Sequence, residues 1–554
     1  MSRVNALPNQ APDKPLRRFR YLALTASIMT FLLIVMGGIV RVTGSGLGCP
    51  DWPLCYGQII PPPRMDAWLE SLHRWIASLT SPFIIASAVV AWWRFRRVRL
   101  IFIPMMISLA LLAGEIALGA VTVILETPPA IVAVHLGIAL TVLAMNLTAT
   151  VTAFHRYQDA ATPDRLTLRS PFARLALWTL AGVFIVLISG AFVAGSGATA
   201  VCSGWPLCNG QLFPSNLLAW VHMIHRFIVA GVGLLALTTY LNALRSQRGR
   251  TGILVWMTLA MVLFLAQAYV GALKTTRGFP MLMLGLHVAS AAAVWLAMVV
   301  TVVTTGLAAR THAEERKEAL RTIDLNQRLR DLLQMTRPVV TALLLITAFG
   351  GMVLGARGAP AVSTVLWTLL AGALAAGGAQ AVNQYMDRDI DKLMKRTARR
   401  PIPAHRMTPG EGLAWGALLC AVSVYLMIGF VNWLAALITL AGIIYYVIIY
   451  TLALKRASVQ DIVVGGGAGA LAPVVGYTAV TGRLDLMALF LFLLIFLWTP
   501  PHFWALALVR RSDYANAGVP MMPVVRGEKY TITRIVSYAV LLVILSILPA
   551  LLGW

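Results

Sequence analysis

Fifteen separate runs of this 554-residue chain are each long and apolar enough to cross a lipid bilayer, near 20–42, 69–92, 100–124, 130–154, 173–194, 217–241, 252–273, 281–306, 339–356, 361–383, 412–430, 433–453, 462–481, 484–508 and 532–552. A spanning helix needs about 20 mostly apolar residues to match the hydrocarbon core. Hydrocarbon offers backbone groups no partner, so such runs must bond internally, as helices. The fold class that follows is an all-α polytopic membrane protein with eight spans, a polar break, and seven more. Composition agrees: 59% of residues are hydrophobic and 12% charged, against about 25% charged in a soluble domain. A soluble enzyme, a disulfide scaffold, a disordered tail and a secreted protein are excluded. The first run lacks a small-residue cleavage site and reads as an anchor rather than a cleaved signal peptide.

The formal charge of +24 would ordinarily suggest an acidic partner such as nucleic acid. Its location argues otherwise. With the N-terminus in the cytoplasm of a prokaryotic plasma membrane, cytoplasmic segments hold 37 of the 45 basic residues and 15 of the 21 acids, including the cluster Arg94, Arg96, Arg97 and Arg99. That is the positive-inside bias of a multi-pass protein. Anionic lipid then suffices as the acidic partner, and no nucleic acid is required.

The first eight spans contain a duplication. The passage from Gly44 through Cys49, Trp52 and Cys55 echoes that from Gly195 through Cys202, Trp205 and Cys208. Cys49 and Cys202 are 153 residues apart, as are Cys55 and Cys208; His73 and His225 are 152 apart, as are His135 and His287. Four offsets agreeing within one residue make a repeated four-helix unit, over about 20–155 and 173–306.

His73 and His135 each lie about five residues inside a span from the outer face, so both sit about 8 Å below the boundary at 1.5 Å per residue. His225 and His287 repeat that depth. Paired imidazoles on two helices of a bundle suit axial ligation of haem iron, or one substrate and one cofactor porphyrin. The competing reading is four unrelated, hydrogen-bonded core histidines, but ionisable residues inside a membrane usually carry function. Glu70, one turn before His73, could move a proton beside a porphyrin or simply pair with Arg74. The second repeat has His222 at that position, so the halves differ. Glu115 is a carboxylate in an apolar span whose default role is a polar contact to the bundle interior. The cysteine pairs fall in outer loops and read as two disulfides, Cys49–Cys55 and Cys202–Cys208. A zinc site of all four thiolates competes, although zinc favours closer spacing. Cys420 reads as a buried small hydrophobe.

Taken together, Glu70-Ser-Leu-His73-Arg, His135-Leu-Gly, Val221-His-Met-Ile-His225-Arg, Gly285-Leu-His287 and the two cysteine-bracketed loops resemble haem A synthase over about residues 15–308. The resemblance implies oxidation of the C8 methyl of haem O to a formyl group. It implies a haem B cofactor on His225 and His287, substrate haem near His73 and His135, and Glu70 as the catalytic residue.

In the second half, Asn383, Asp387 and Asp391 follow two spans at the cytoplasmic face. On a helix, steps of four residues stay within one stripe, while Asp389 points elsewhere. Carboxylates in a row there suit Mg2+ bridged to a diphosphate; a solvated acidic helix end is the plain alternative, disfavoured by the helix macrodipole. Basic residues follow, with Arg400 and Lys455 as candidate diphosphate clamps. A third loop adds Arg511 for the diphosphate and Asp513 as a second carboxylate. Metal and cations would stabilise a departing pyrophosphate while the bundle holds an isoprenoid tail.

Asn383-x3-Asp387-x3-Asp391, Tyr450-Thr-Leu-Ala-Leu-Lys455-Arg, Trp498-Thr-Pro-Pro-His502-Phe-Trp and Asp513-Tyr-Ala-Asn-Ala-Gly-Val-Pro-Met are similar to haem O synthase, within the intramembrane prenyltransferase family. The resemblance runs from about Leu329 onward and implies transfer of a farnesyl group from farnesyl diphosphate to a haem vinyl group. His502 would contact porphyrin or serve as a core histidine. The family has nine spans; seven are counted here, so the prenyltransferase-type bundle lacks the last two.

The domain reading is 1–308, a linker at 309–337 that is polar and solvated, and 338–554. The functional expectation is bifunctional haem A biosynthesis, since the second half's product is the first half's substrate. Haem B and Mg2+ are the cofactors. The partners are protohaem IX, farnesyl diphosphate, haem O, the bilayer, an electron donor, cytochrome oxidase assembly factors and a second copy of the chain. The alternative is a bis-histidine cytochrome b fused to a quinone-type prenyltransferase. A transporter with basic loops is a further rival.

Overall fold

The computed structural model describes residues 14–276, 281–311, 313–315 and 325–552. Fifteen helices in it are long and apolar enough to span a membrane, and the protein is a multi-pass membrane protein. The chain divides into two compact units, residues 1–247 with 263–320, and residues 248–262 with 321–554.

In the first unit the helices are α1 (Lys14–Val42), α2 (Met65–Arg94), α3 (Arg99–Ile124), α4 (Pro129–Gln158), α5 (Pro171–Gly195), α6 (Leu217–Ser246), α7 (Thr251–Thr276) and α8 (Met281–Ala308), the first half of α7 counting with the second unit. Proline opens α4 and α5 at a position where its missing N–H costs nothing. Ser170 and Asn216 accept backbone N–H groups at the starts of α5 and α6. The inner helices α1, α4, α5 and α8 pack on one another, with α2 and α3 flanking one side of the repeat and α6 packed on α5. Buried hydroxyls join the apolar faces: Ser27 to Thr150 at 3.0 Å and Thr179 to Thr239 at 2.7 Å. The Trp295 indole N–H donates to the Leu140 carbonyl at 2.9 Å, tying the two repeats together.

The second unit holds α9 (Pro338–Ala356), α10 (Val362–Met386), α11 (Pro409–Phe430), α12 (Trp433–Ile444), α13 (Asp461–Thr481), α14 (Leu486–Val509) and α15 (Glu528–Leu552). Beyond Ile444, α12 continues as a π-helix over Tyr445–Leu454. The polar stretch 309–337 is mostly exposed where it is described, with Glu315, Asp331 and Met335 as buried exceptions. Leu325–Met335 is a helix whose Met335 is fully buried and whose Asp331 receives Arg406 at 2.8 Å. Its amphipathic pattern gives it an apolar side to dock. Glu315 is buried and accepts a hydrogen bond from Gln247 at 2.9 Å. Arg316, Lys317 and Glu318 lie outside the described residues. Cys420, expected to be buried, is half-buried.

Membrane helices lack a hydrophobic drive to associate, so small residues that let backbones meet carry the packing. A Cβ at Gly476 of α13 would stand 1.8 Å from the Ala348 carbonyl oxygen of α9, and one at Gly351 would stand 2.1 Å from the Pro473 oxygen. On the same helix, a Cβ at Gly469 would meet nothing within 4 Å. Gly476→Ala is therefore expected to lower stability by about 2–3 kcal/mol, the cost of overpacking. Gly469→Ala should be nearly neutral. Thermal unfolding in detergent, followed by circular dichroism, compares the two.

Candidate functional site

Each unit brings its own set of polar side chains together. In the first, every one of the four spanning histidines lies against a glycine of the preceding helix. An added Cβ would stand 2.9 Å from His73 Cε1 at Gly37, 3.9 Å from His135 Cε1 at Gly119, 3.2 Å from His225 Cε1 at Gly190 and 3.1 Å from His287 Cε1 at Gly271. The glycines repeat at 153 (Gly37 and Gly190) and 152 residues (Gly119 and Gly271), the offsets of the cysteines and histidines, a signal that sequence reading missed.

His73 and His135 are within electrostatic reach of each other, as are His225 and His287. Ser189 Oγ lies 2.8 Å from His225 Nδ1, whereas the buried Nδ1 atoms of His73, His135 and His287 have no hydrogen-bond partner. Imidazoles in glycine-lined cradles, three of them with an orphaned Nδ1, fit axial ligation of a porphyrin iron. Glu115, whose contact sequence reading left unspecified, reaches His135: Oε2 lies 3.2 Å from Nδ1.

Glu70 is 4% exposed. It accepts the Cys49 backbone N–H at 2.8 Å and is ion-paired with Arg74. Arg74 in turn donates to the backbone oxygens of Asp51 at 2.7 Å, Cys49 at 3.3 Å and Leu54. The carboxylate and guanidinium thus close the loop that carries Cys49 and Cys55. Asp51, in that loop, has its carboxyl pulled below the ordinary range, first by the Gly57 N–H. The second repeat performs the same closure without a carboxylate. His222 Nδ1 lies 3.1 Å from the Ala198 oxygen, and Arg226 donates to the Pro206 oxygen at 2.9 Å. Cys49 is bonded to Cys55 and Cys202 to Cys208, so the thiols pair within each loop.

In the second unit Asn383, Asp387 and Asp391 are all buried and Asp389 is exposed. Helix α10 ends at Met386, and a single further turn, Arg388–Asp391, carries the stripe onward. Asn383 Nδ2 donates to Asp387 Oδ2 at 2.8 Å and to Thr451 Oγ1 at 3.1 Å, while Arg337 donates to Asn383 Oδ1 at 3.0 Å. Lys455 is ion-paired with Asp387, and Arg400 with Asp391 at 2.6 Å. Burial pulls the Lys455 ammonium below the usual lysine range, and the Asp387 carboxylate pushes it back up. Asp387 Oδ1 is buried with no hydrogen-bond partner, and Arg456 Nη2 stands 4.0 Å away. An orphaned carboxylate oxygen beside a second carboxylate is the hard donor set that Mg2+ takes.

The π-helix places Lys455. Its N–H bonds to the Tyr450 oxygen five residues back, at 2.9 Å, and Thr451 Oγ1 bonds to the Tyr446 oxygen. π-turns often mark functional positions. The third loop packs beside the other two: Met394, Ile462, Val519, Met521, Met522 and Trp504 form one buried cluster. Within it, Asp513 is half-buried and Arg511 exposed on a short helix, Arg511–Asn516. Unlike Arg400 and Lys455, Arg511 is not drawn onto the carboxylates. His502 is exposed and stacks on Trp498 with centroids 4.5 Å apart, so it is not a core histidine. Sequence reading passed over Arg337 and Asp461. Asp461 is fully buried, with one carboxylate oxygen bonded to the Ile462 N–H at 2.8 Å and the other unpartnered.

Comparisons with known proteins separate the halves in the same way. Residues 20–219 match the family described as cytochrome oxidase assembly protein, and residues 344–554 match the UbiA prenyltransferase family. A protoheme IX farnesyltransferase of Chloroflexus aurantiacus is 34% identical over 534 residues, covering 95% of this chain and 87% of that protein. One of Thermus thermophilus is 35% identical over 533 residues, covering 94% and 87%. Among solved structures, a UbiA homolog from Archaeoglobus fulgidus bound to DMAPP and Mg2+ is 19% identical, covers 39% of this chain and 76% of that one, and has a TM-score of 0.34.

Proposed function

This chain belongs to the protoheme IX farnesyltransferase family, and we propose that its second unit makes haem O from protohaem IX while its first unit oxidises that product to haem A. The observation that carries the reading is the pairing of a nearly full-length family match with a cytochrome oxidase assembly match in one chain. The two activities are successive, so joining them would limit escape of an insoluble, redox-active haem.

In the second unit, Asp387 and Asp391 with Asn383 are the residues that would hold Mg2+, which when bound would draw charge from the diphosphate. Lys455 and Arg400 already rest on those carboxylates and are placed to take diphosphate oxygens as the C1–O bond of farnesyl diphosphate breaks. Arg337 fixes the Asn383 amide from behind. The new bond joins farnesyl C1 to the terminal carbon of the haem vinyl group, water adds to the adjacent carbon and releases a proton, and pyrophosphate leaves with its charge neutralised. Asp513 supplies a further carboxylate on the neighbouring loop, and Arg511 an outer cation.

In the first unit, His225 and His287 would hold a haem B cofactor, which supplies one-electron redox chemistry. His73 and His135 would hold substrate haem O. Glu70, one turn away, is the group to hold or move a proton during oxidation of the C8 methyl, and the two disulfides close the loops above. On this reading the N-terminus is cytoplasmic in a bacterial plasma membrane, and dioxygen oxidises the methyl group while an external donor supplies the electrons that reduce the remaining oxygen to water.

Expression in a host lacking both activities, followed by chromatography of extracted haems, tests the proposal. Haem O and haem A should appear beside haem B. Haem B alone, with prenylated quinone as product, would overturn it in favour of a cytochrome b joined to a quinone prenyltransferase.

A further inference from the structure

The duplication supplies an internal comparison for a carboxylate that the proposed chemistry does not use. Glu115 of α3 points at His135 of α4, with Oε2 3.2 Å from Nδ1. Its other oxygen, Oε1, is buried with no hydrogen-bond partner. A carboxylate held in a membrane bundle is costly and rarely retained without use. The residue 152 positions later, at the repeat offset of His135 and His287, is Gln267. Its side-chain oxygen accepts a hydrogen bond from Ser290, within α8.

A carboxylate in one repeat thus has an amide of the same shape in the other. The same division occurs at Glu70 and His222. Both acids belong to the first repeat and both neutral counterparts to the second. The second repeat folds into its bundle with the amide, so the charge is not what the architecture requires. A ligating imidazole whose far nitrogen donates to a carboxylate is fixed in tautomer and orientation and becomes a more basic ligand.

We infer that Glu115 is a positioning residue for the first-repeat porphyrin site. Its Oε2, 3.2 Å from Nδ1 and not yet hydrogen-bonded to it, would accept the Nδ1–H of His135 when a porphyrin is bound, leaving Nε2 free as the ligand. It would thereby make His135 a stronger electron donor than His287, whose repeat carries the neutral Gln267 at the matching position. The inference rests on the reading that the first unit binds haem. It assigns the two centres different characters: the first repeat, with the more basic ligand, favours the ferric state more strongly than the second.

The test uses the purified full-length chain, supplied with haemin as the probe, in wild-type, Glu115→Gln, Glu115→Asp and Gln267→Glu forms. Haem content and the reduction midpoints of the bound centres are measured by redox titration. Glu115→Gln should shift one centre's ferric/ferrous equilibrium about tenfold toward the ferrous state, about 59 mV upward for one electron. It should also weaken haem retention at that centre about tenfold. Glu115→Asp should recover part of the shift, and Gln267→Glu should move the other centre in the opposite direction. Should Glu115→Gln not accumulate, Gln267→Glu decides alone. Unchanged midpoints in haem-replete variants overturn the role of Glu115. A wild-type chain that binds no haem in its first unit overturns the underlying reading as well, and the two failures are told apart by the wild-type control.

Discussion

Asp387→Asn is expected to lower farnesyl transfer from farnesyl diphosphate to protohaem by at least about a thousandfold, with the protein still inserted and folded. Asp387 is 0% exposed, and each of its oxygens has a separate duty. Oδ2 accepts from Asn383 at 2.8 Å and pairs with Lys455. Oδ1 is left without a hydrogen bond, facing the Arg456 guanidinium 4.0 Å away. Asparagine keeps the shape but removes the charge. Lys455 would then be a buried ammonium without its counter-charge, a strongly unfavourable state. The metal would lose an anionic oxygen ligand. Removing one preorganised electrostatic group of this kind typically costs 10²–10³ in rate, and here one substitution affects both metal and cation. Asp389→Asn, two residues away and exposed, should leave turnover unchanged. Radiolabelled farnesyl diphosphate with isolated membranes measures both variants. Wild-type turnover in Asp387→Asn would remove the cluster from the reaction, and with it the prenyl-transfer reading of this unit.

That cluster shows how far sequence reading reaches. Hydropathy located all fifteen spans, with ends displaced by a few residues: the run near 69–92 is the helix Met65–Arg94, and that near 339–356 is Pro338–Ala356. Apolar length is a strong signal because lipid permits so few alternatives. Spacing by fours also brought Asn383, Asp387 and Asp391 onto one stripe, even though α10 stops before Asp387. The π-helix at Tyr445–Leu454 was illegible, because an apolar run on every face carries no phase from which to detect an extra residue per turn. Arg337 was hidden among residues that looked like ordinary positive-inside charge, yet it anchors Asn383. Leu325–Met335 is largely exposed, as its polarity suggests, and only its one-sided pattern buries Asp331 and Met335. Glu115 was legible in principle: the 152-residue offset that matched the histidines also sets it against Gln267. Its contact with His135 needed the structure, since the two residues sit on different helices.

Glu70→Gln is the second decisive substitution, because Glu70 combines two roles that the repeat allows to be separated. As a structural group it accepts the Cys49 N–H and holds Arg74, which closes the loop through the backbone oxygens of Asp51, Cys49 and Leu54. The second repeat closes the equivalent loop with His222 and Arg226, without any carboxylate. Loop closure alone therefore does not demand a negative charge, and glutamine retains an acceptor for the Cys49 N–H. Proton transfer does demand an ionisable group, and its loss typically costs 10²–10⁴ in rate. Glu70→Gln should accordingly cut haem A formation by at least about a hundredfold. Haem B should stay bound, haem O should accumulate, and Cys49 and Cys55 should remain protected from thiol reagents. Glu70→Ala, which removes the acceptor too, should add loop opening and exposure of those thiols after mild reduction. If Glu70→Gln makes haem A within a few fold of wild type, the carboxylate is a clamp and the proton must be handled elsewhere in the first repeat. A loss of haem A accompanied by loss of haem B would instead mean that the site had collapsed, a result expected of the alanine variant before the glutamine one.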